Sequence, residues 1–271
     1  MKPVDFDYAR PATLDAALEL LGREELNAKP LAGSQSLGPM LNLRLVQPEL
    51  LVDITAIPEL ASIREEKGFL VLGACVTHAA LEDGGALNPT RGVLAGVAAG
   101  IAYRAVRNRG TVGGSLAHAD PAADWVSVLA ALGADVVVAG RAGRRTVPAK
   151  DFIRGTFETA LKPGELVVEV RIPVLSSSAR WGYAKICRKA GEFSHATGAV
   201  LVDPARKFAR AVIGAVAGPP IVIDDATIAE RDPGEAWVAA RLSGTPLGDD
   251  DYQIRIHHVA LKRAIAEARA P

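Results

Sequence analysis

Two short stretches of this chain are made of residues that let a backbone come close to an anion. Ala32-Gly33-Ser34-Gln35-Ser36-Leu37 joins small residues to hydroxyl and amide donors, and Thr111-Val112-Gly113-Gly114-Ser115 sets two glycines between two hydroxyls. Glycine removes the Cβ that would hold a ligand away. Successive backbone N–H groups in such turns make a concave anion site, which a following helix start reinforces. Neither stretch is a P-loop, because no Gly-Lys-Ser/Thr follows, and neither has the Gly-x-Gly-x-x-Gly spacing of a Rossmann turn. Alone, each reads more simply as a plain surface turn; together they suit a diphosphate held from two sides. Arg107 and Arg109 precede the second stretch and would sit near phosphates or on a partner surface. Asp120 and Asp124 follow it, where a carboxylate can accept hydrogen bonds from ribose or adenine; the rival reading makes Asp120-Pro121 only a helix start.

Elements must hold these stretches in place. Thr13 reads as the N-cap of a helix in which Leu14, Ala17, Leu18 and Leu21 share a face, with Gly22 as its stop. A short helix or turn over 37–45 would pack Leu37, Met40, Leu41 and Leu43, and Pro48 ends it. Segments 50–54 and 69–74 read as buried strands, and Thr77 caps a helix carrying His78 and Leu81. The Ala/Gly-rich helix over 92–101 implies tight packing on a sheet or a ligand. A helix over 122–132 and strands over 134–139 and 166–172 follow, and Ser176-Ser177-Ser178 reads as a linker between domains. Beyond it, strands over 181–188, 198–202 and 210–217 precede helices over 226–241 and 250–270, the order of an α+β lobe.

Composition narrows the function. The 271 residues suffice for two lobes, 49% of them are apolar, and 31 basic side chains balance 31 acidic ones. A neutral chain offers no basic footprint for nucleic acid. No apolar run reaches bilayer length and the start has no signal-peptide pattern, so a cytoplasmic location is the default expectation. The two cysteines, Cys75 and Cys187, exclude a disulfide framework and a four-cysteine iron–sulfur cluster within this chain.

The order and spacing of Ala-Gly-Ser-Gln-Ser-Leu-Gly-Pro-Met-Leu-Asn-Leu-Arg-Leu, Leu-Val-Asp-Ile and Arg-Asn-Arg-Gly-Thr-Val-Gly-Gly-Ser-Leu-Ala-His-Ala-Asp-Pro-Ala-Ala-Asp resemble the FAD-binding medium subunit of molybdenum hydroxylases, the family of xanthine dehydrogenase and carbon monoxide dehydrogenase. The later Gly182-Tyr183-Ala184-Lys185 and Arg188-Lys189-Ala190-Gly191-Glu192-Phe193 match its third region, so the resemblance covers nearly the whole chain. It implies an α+β fold: a two-subdomain FAD-binding unit of the vanillyl-alcohol oxidase type over 1–175, divided at about 57, and a C-terminal α+β domain over 176–271. It implies an oxidoreductase subunit that passes electrons from iron–sulfur clusters through FAD to NAD, a quinone or oxygen. The molybdenum cofactor would lie on a large partner and the clusters on a small one, in a dimer of heterotrimers. A stand-alone flavin oxidoreductase and a non-catalytic assembly subunit of the same fold are the rival readings.

Carried over by position, Leu31, Ala32, Gly33, Ser34, Gln35, Ser36 and Leu37 would wrap the pyrophosphate, and Thr111, Gly114 and Ser115 would meet it from the other side. Asp124, with Asp120, matches the acidic position by the adenosine half. Val167 matches an apolar residue against the ring system, and Lys185 a lysine beside the isoalloxazine. Ile101 or Ala102 would line the cofactor. His118 would touch FAD or a partner. His78 reads as a cap or supporting group and His195 as a flavin-edge or surface residue. His257-His258 reads as an exposed face, and both cysteines as core thiols. Tyr183 and Lys185 alternate to one strand face, so that one of them can face the flavin. Three features depart from the family pattern: Ser34 stands where relatives have a glycine, Glu192 replaces an aspartate, and Ser194-His195-Ala196 is unusual.

Overall fold

The computed structural model describes residues 2–84 and 89–270. The chain starts with β1 (Asp7–Ala9), α1 (Leu14–Leu21), β2 (Ala28–Leu31), α2 (Leu37–Asn42) and β3 (Leu50–Asp53). Thr13 caps α1 by accepting from the Ala16 N–H, and Gly22 closes it. The strands pair in parallel in the order β1-β3-β2. Pro30 is tolerated because β2 lies at the sheet edge, where a missing donor breaks no ladder.

Next come β4 (Ile63–Glu66), β5 (Phe69–Gly73), α3 (His78–Asp83), α4 (Val93–Ala99), α5 (Arg104–Arg107), α6 (Val112–His118) and α7 (Asp124–Leu132). The hairpin β6 (Asp135–Gly140) and β7 (Gly143–Pro148) follows, then α8 (Ala149–Phe152), the ribbon β8 (Ile153–Gly155) and β9 (Glu158–Thr159), and β10 (Leu166–Pro173). Among the described residues these strands form a sheet ordered β4-β5-β10-β6-β7. Its centre strand, β10, is mostly apolar and buried along its length except at the half-buried Arg171. Its one buried charge, Glu169, is answered by Arg64 at 2.7 Å and by Arg171 at 2.6 Å.

The last part holds β11 (Arg180–Ile186), β12 (Ala196–Asp203), β13 (Phe208–Gly214), β14 (Ile221–Asp224), α9 (Glu235–Leu242) and α10 (Asp251–Arg269). The four strands form an antiparallel meander. Helix α7 joins this sheet to the preceding one. Every residue of α7 is buried, as a helix apolar on all sides requires. Trp125, Val128, Leu129 and Leu132 enter the core over β5, β6 and β10, while Ala130 and Ala131 pack with Ala199 and Val212. On the other face of the meander, α10 lies so close that a Cβ at Gly182 would overlap the Ala264 carbonyl, and one at Gly198 would crowd the Ala260 carbonyl.

Several expectations are corrected. The helix expected over 37–45 stops at Asn42, and Leu43 and Leu45 are exposed rather than packed. The helix expected from 226 starts only at Glu235, because Pro233-Gly234 interrupts the amide ladder. His257 is wholly buried, not exposed: Nδ1 lies 2.7 Å from the Gln253 carbonyl oxygen and Nε2 3.4 Å from that of Ala215. Cys187 follows β11 and is half-buried, whereas Cys75 is a core thiol pushed up to about 12 by burial.

The α10 contact gives a test. Gly182→Ala is expected to lower unfolding free energy by about 2–3 kcal/mol through overpacking, while Gly218→Ala, where a Cβ meets open space, should stay within about 0.5 kcal/mol; urea denaturation of both variants measures the difference.

Candidate functional site

The first glycine-bearing stretch is the connection from β2 to α2. Gly33 is there for packing: a Cβ would overlap the Arg109 carbonyl and crowd the Gly110 Cα. The stretch is thereby seated against the segment that leads into the second one. Ser34 holds a left-handed φ of 61°, a conformation that glycine adopts without strain. The Gln35 side-chain amide donates to the Gly33 carbonyl at 3.0 Å, so it braces the turn. Among the described residues, the backbone N–H groups of Gly33, Ser34, Gln35, Ser36 and Leu37 find no acceptor. Five consecutive donors are left without a partner in one turn.

The second stretch differs from its expected form. It is not a loop but the first turn of α6, with Thr111 as N-cap accepting from the Gly114 N–H at 3.0 Å. The Val112 N–H donates to the Val76 carbonyl at 3.0 Å, Gly113 to Ala74 at 2.9 Å and Ser115 to Thr111 at 2.9 Å. Of the four donors that a helix start leaves open, those of Val112, Gly113 and Gly114 are satisfied within the protein. The paired glycines also have separate reasons. A Cβ at Gly113 would collide with Ala74, while Gly114 faces Thr111 Oγ1 and Ala32 across the gap between the two stretches. The Ser115 hydroxyl has no partner among the described residues. His118 packs its ring on Phe157 at 5.1 Å.

Arg107 is not a phosphate ligand. Its guanidinium binds Glu82 at 2.7 and 2.9 Å and donates to the Ile101 and Ala102 carbonyls. Asp124 and Lys185, expected at opposite halves of a dinucleotide, form one buried bridge of 2.9 Å. Lys185 also donates to the Gly100 carbonyl at 2.9 Å, and the Tyr183 hydroxyl donates to Asp124 at 2.6 Å. Tyr183 and Lys185 therefore do share a strand face, but both address Asp124. Burial, with the Asp124 charge beside it, raises the Tyr183 phenol well above its usual range. Asp120 accepts from the Ala122 N–H at 2.9 Å, which is the helix-start role.

These elements enclose a cleft of about 520 Å³, within the range of ligand sites. Ala32 to Leu37, Ile101, Ala102, Thr111, Gly114, Ser115, His118, Asp120, Asp124 and Val167 all line it. Leu31 and Lys185 do not; Leu31 ends β2 behind the turn, and Lys185 lies behind Asp124. His195 is exposed and outside the cleft. The cleft also takes Lys29, Gly110, Glu165 and Phe193, which had no assigned contact, and His78, which the sequence reads as a cap or supporting group. Glu165 is bound by Arg145 at 2.9 Å and by the Lys162 N–H at 2.7 Å. His78 is held by a bond from Trp125, 47 positions away, so no local pattern could reveal it. Phe193 stood inside a recognised segment but carried no polar group to mark it.

Similarity to known proteins agrees with this geometry. The family described as "FAD binding domain in molybdopterin dehydrogenase" matches residues 4–175. Subunit alpha of the 6-hydroxypseudooxynicotine dehydrogenase complex of Paenarthrobacter nicotinovorans is 35% identical over 283 residues, covering 99% of this chain and 96% of that one. The carbon monoxide dehydrogenase medium chain of Hydrogenophaga pseudoflava is 42% identical over 202 residues, 74% of this chain and 70% of its own. A solved carbon monoxide dehydrogenase chain from Oligotropha carboxidovorans superposes with a TM-score of 0.88 at 32% identity, covering 99% of both chains.

Two tests follow from the site. Lys185→Met leaves Asp124 buried without its counter-charge and should destabilise the chain by about 3–5 kcal/mol; Asp124→Asn added to it should restore most of the loss in thermal or urea unfolding. His78 is depressed to about 4 by burial and by nearby Arg107. Between pH 6.5 and 4 the unfolded chain then binds the extra proton, so stability is full above 6.5 and falls with acid, by about 3 kcal/mol for this ring. Unfolding of His78→Gln should show a shallower loss over that window.

Proposed function

This chain belongs to the family of FAD-binding medium subunits of molybdenum hydroxylases, oxidoreductase complexes of which it is one component, and on that premise we propose that its cleft holds FAD as one station of an electron relay spread over several chains. The observation that carries the proposal is the row of unpartnered N–H groups from Gly33 to Leu37 at the cleft wall. Gly33, Ser34, Ser36 and Leu37 are buried or half-buried, so their amides need acceptors, and a dinucleotide diphosphate supplies them in one compact anion. Lys29, a cation lining the cleft without an ion-pair partner among the described residues, adds charge of the right sign.

In this reading the first stretch supplies backbone donors and the second supplies the Thr111 and Ser115 hydroxyls with the His118 ring. Gly114 keeps the gap between them open. Ile101, Ala102 and Val167 offer apolar contact to the ring systems. Asp124 presents to the cleft a carboxylate whose charge Lys185 balances, so the pair orients ligand without adding net charge. FAD, when bound, takes up electrons singly and releases them singly or in pairs. The residues bind and orient it and shield it from water; the chain presents no acid–base pair for substrate chemistry of its own.

The relay needs partners. With two cysteines, and no cluster of three or more His, Cys, Asp or Glu placed to hold a metal among the described residues, the iron–sulfur clusters and the molybdenum cofactor are assigned to a small and a large subunit. We assign residues 1–175 to the FAD-binding unit, divided at about 57, and 176–271 to the C-terminal domain. The turn after β10, where Ser176 is tied to Asp203 at 2.5 Å, is the hand-over between them. Among the described residues no helix is long and apolar enough to cross a membrane.

The direct experiment is to purify the chain, record its visible spectrum and titrate FAD into it. Yellow protein, or uptake of one FAD per chain, is expected; a colourless chain that takes up none sinks the proposal. Ser115→Asp, at a hydroxyl with no partner to lose, should leave the melting temperature unchanged and weaken FAD binding by about tenfold or more through charge repulsion. Affinity purification from the source cells is expected to bring down a larger molybdenum-bearing and a smaller iron–sulfur chain.

A further inference from the structure

We infer that His78 is a neutral hydrogen-bond donor to the FAD diphosphate, held in one tautomer by Trp125. The inference rests on the FAD reading above and adds to it a residue on neither glycine-bearing stretch. Three observations carry it. First, the Trp125 indole N–H donates to His78 Nδ1 at 3.1 Å, inside a core where Trp125 is 1% exposed. Indole only donates, so Nδ1 is the acceptor and the imidazole proton sits on Nε2. Second, His78 Nε2 has no hydrogen-bond partner among the described residues. The Ser194 hydroxyl is the one fully buried side-chain polar atom without a partner among the described residues, so Nε2 is not sealed in the core, and His78 lines the cleft. Third, the ring lies where the two stretches meet. The His78 N–H donates to the Gly110 carbonyl at 2.9 Å, and a Cβ on Gly110 would stand 2.8 Å from Nε2. Gly33 packs on that same Gly110 from the other side.

The N–H row of the first stretch, the Thr111 hydroxyl and the His78 Nε2–H thus surround one junction. A neutral donor suits it. Arg107, the charged group that acts on His78, is already bound to Glu82. A second proton on the ring would have to displace the Trp125 indole from Nδ1. Donation to the diphosphate is therefore constant over the range in which free histidine titrates, since the ring is depressed to about 4 by burial. The geometry needed is only the Trp125–His78 pair and glycine at position 110.

The test uses the full-length chain, stripped of FAD and titrated with FAD by fluorescence at pH 5 to 8. The difference in affinity between wild type and His78→Phe should stay constant across that range. His78→Phe should weaken binding by about tenfold or more, the loss of a hydrogen bond to a charged group, and His78→Gln, which keeps a side-chain N–H, should recover much of it. Trp125→Phe leaves Nδ1 without its donor, so the His78 nitrogen-15 signals should lose the single-tautomer signature and FAD binding should weaken with them, a spectral change that mere packing damage does not produce. Nitrogen-15 spectra of wild type should show the Nε2-protonated neutral ring, with its signals moved by FAD. If wild type binds FAD while His78→Phe binds equally well, or the ring signals ignore FAD, the inference fails and the FAD reading stands. If wild type takes up no FAD, both fall.

Discussion

The structure turns on where backbone N–H groups find acceptors. An amide withdrawn from water needs a partner, and the protein meets that need very differently in its two glycine-bearing stretches. At the start of α6 the N–H groups of Val112, Gly113 and Gly114 are returned to Val76, Ala74 and Thr111, which ties the helix to the strand-end segment after β5. From Gly33 to Leu37 the donors are left for something else. One stretch is structural in its backbone and offers only side-chain hydroxyls; the other is held as a rigid turn with its backbone outward. That asymmetry lines one wall of the cleft with open backbone donors and the other with side-chain hydroxyls.

Rigidity behind the turn is what keeps those donors aligned. Gly33 is pressed on Arg109 and Gly110, Gln35 braces the turn from within, and the edge strand β2 leads straight into it. Opposite, α7 is buried on every side and from one element brings Asp124 to the cleft and Trp125 to the ring of His78. Trp125 fixes His78, and Asp124 collects Lys185 and Tyr183 from β11. The C-terminal sheet thus reaches the cleft through ion pairing and not through direct contact by Lys185. Replacing either member of the pair alone would leave a charge in the interior, whereas the intact pair is electrically silent toward a ligand.

Membership of the medium-subunit family fits this division of labour. A chain that binds and orients a redox cofactor needs donors, apolar walls and a controlled charge, and the described cleft has these. It needs no nucleophile, and the one deeply buried thiol, Cys75, is held protonated in the core with its S–H toward the Ile54 carbonyl.

Read alone, the sequence yields the α1 cap at Thr13, the α3 cap at Thr77, the strands β3, β5 and β10, and fewer than half of the residues that line the cleft, chiefly those on the two glycine-bearing stretches. Those signals are local: a capping hydroxyl acts three residues away, an apolar run reports its own burial, and a glycine-rich stretch marks its own conformation. It did not determine what each residue does there. The short edge strands β2, β4 and β7 lack an apolar pattern because one face or one edge meets water. The left-handed Ser34, the burial of His257, the Trp125–His78 bond and the Asp124–Lys185 bridge join positions whose partners lie far along the chain or on another element. Only the packed structure decides such pairings, because a hydrogen bond or an ion pair depends on where two groups meet in space, and local periodicity carries no record of that.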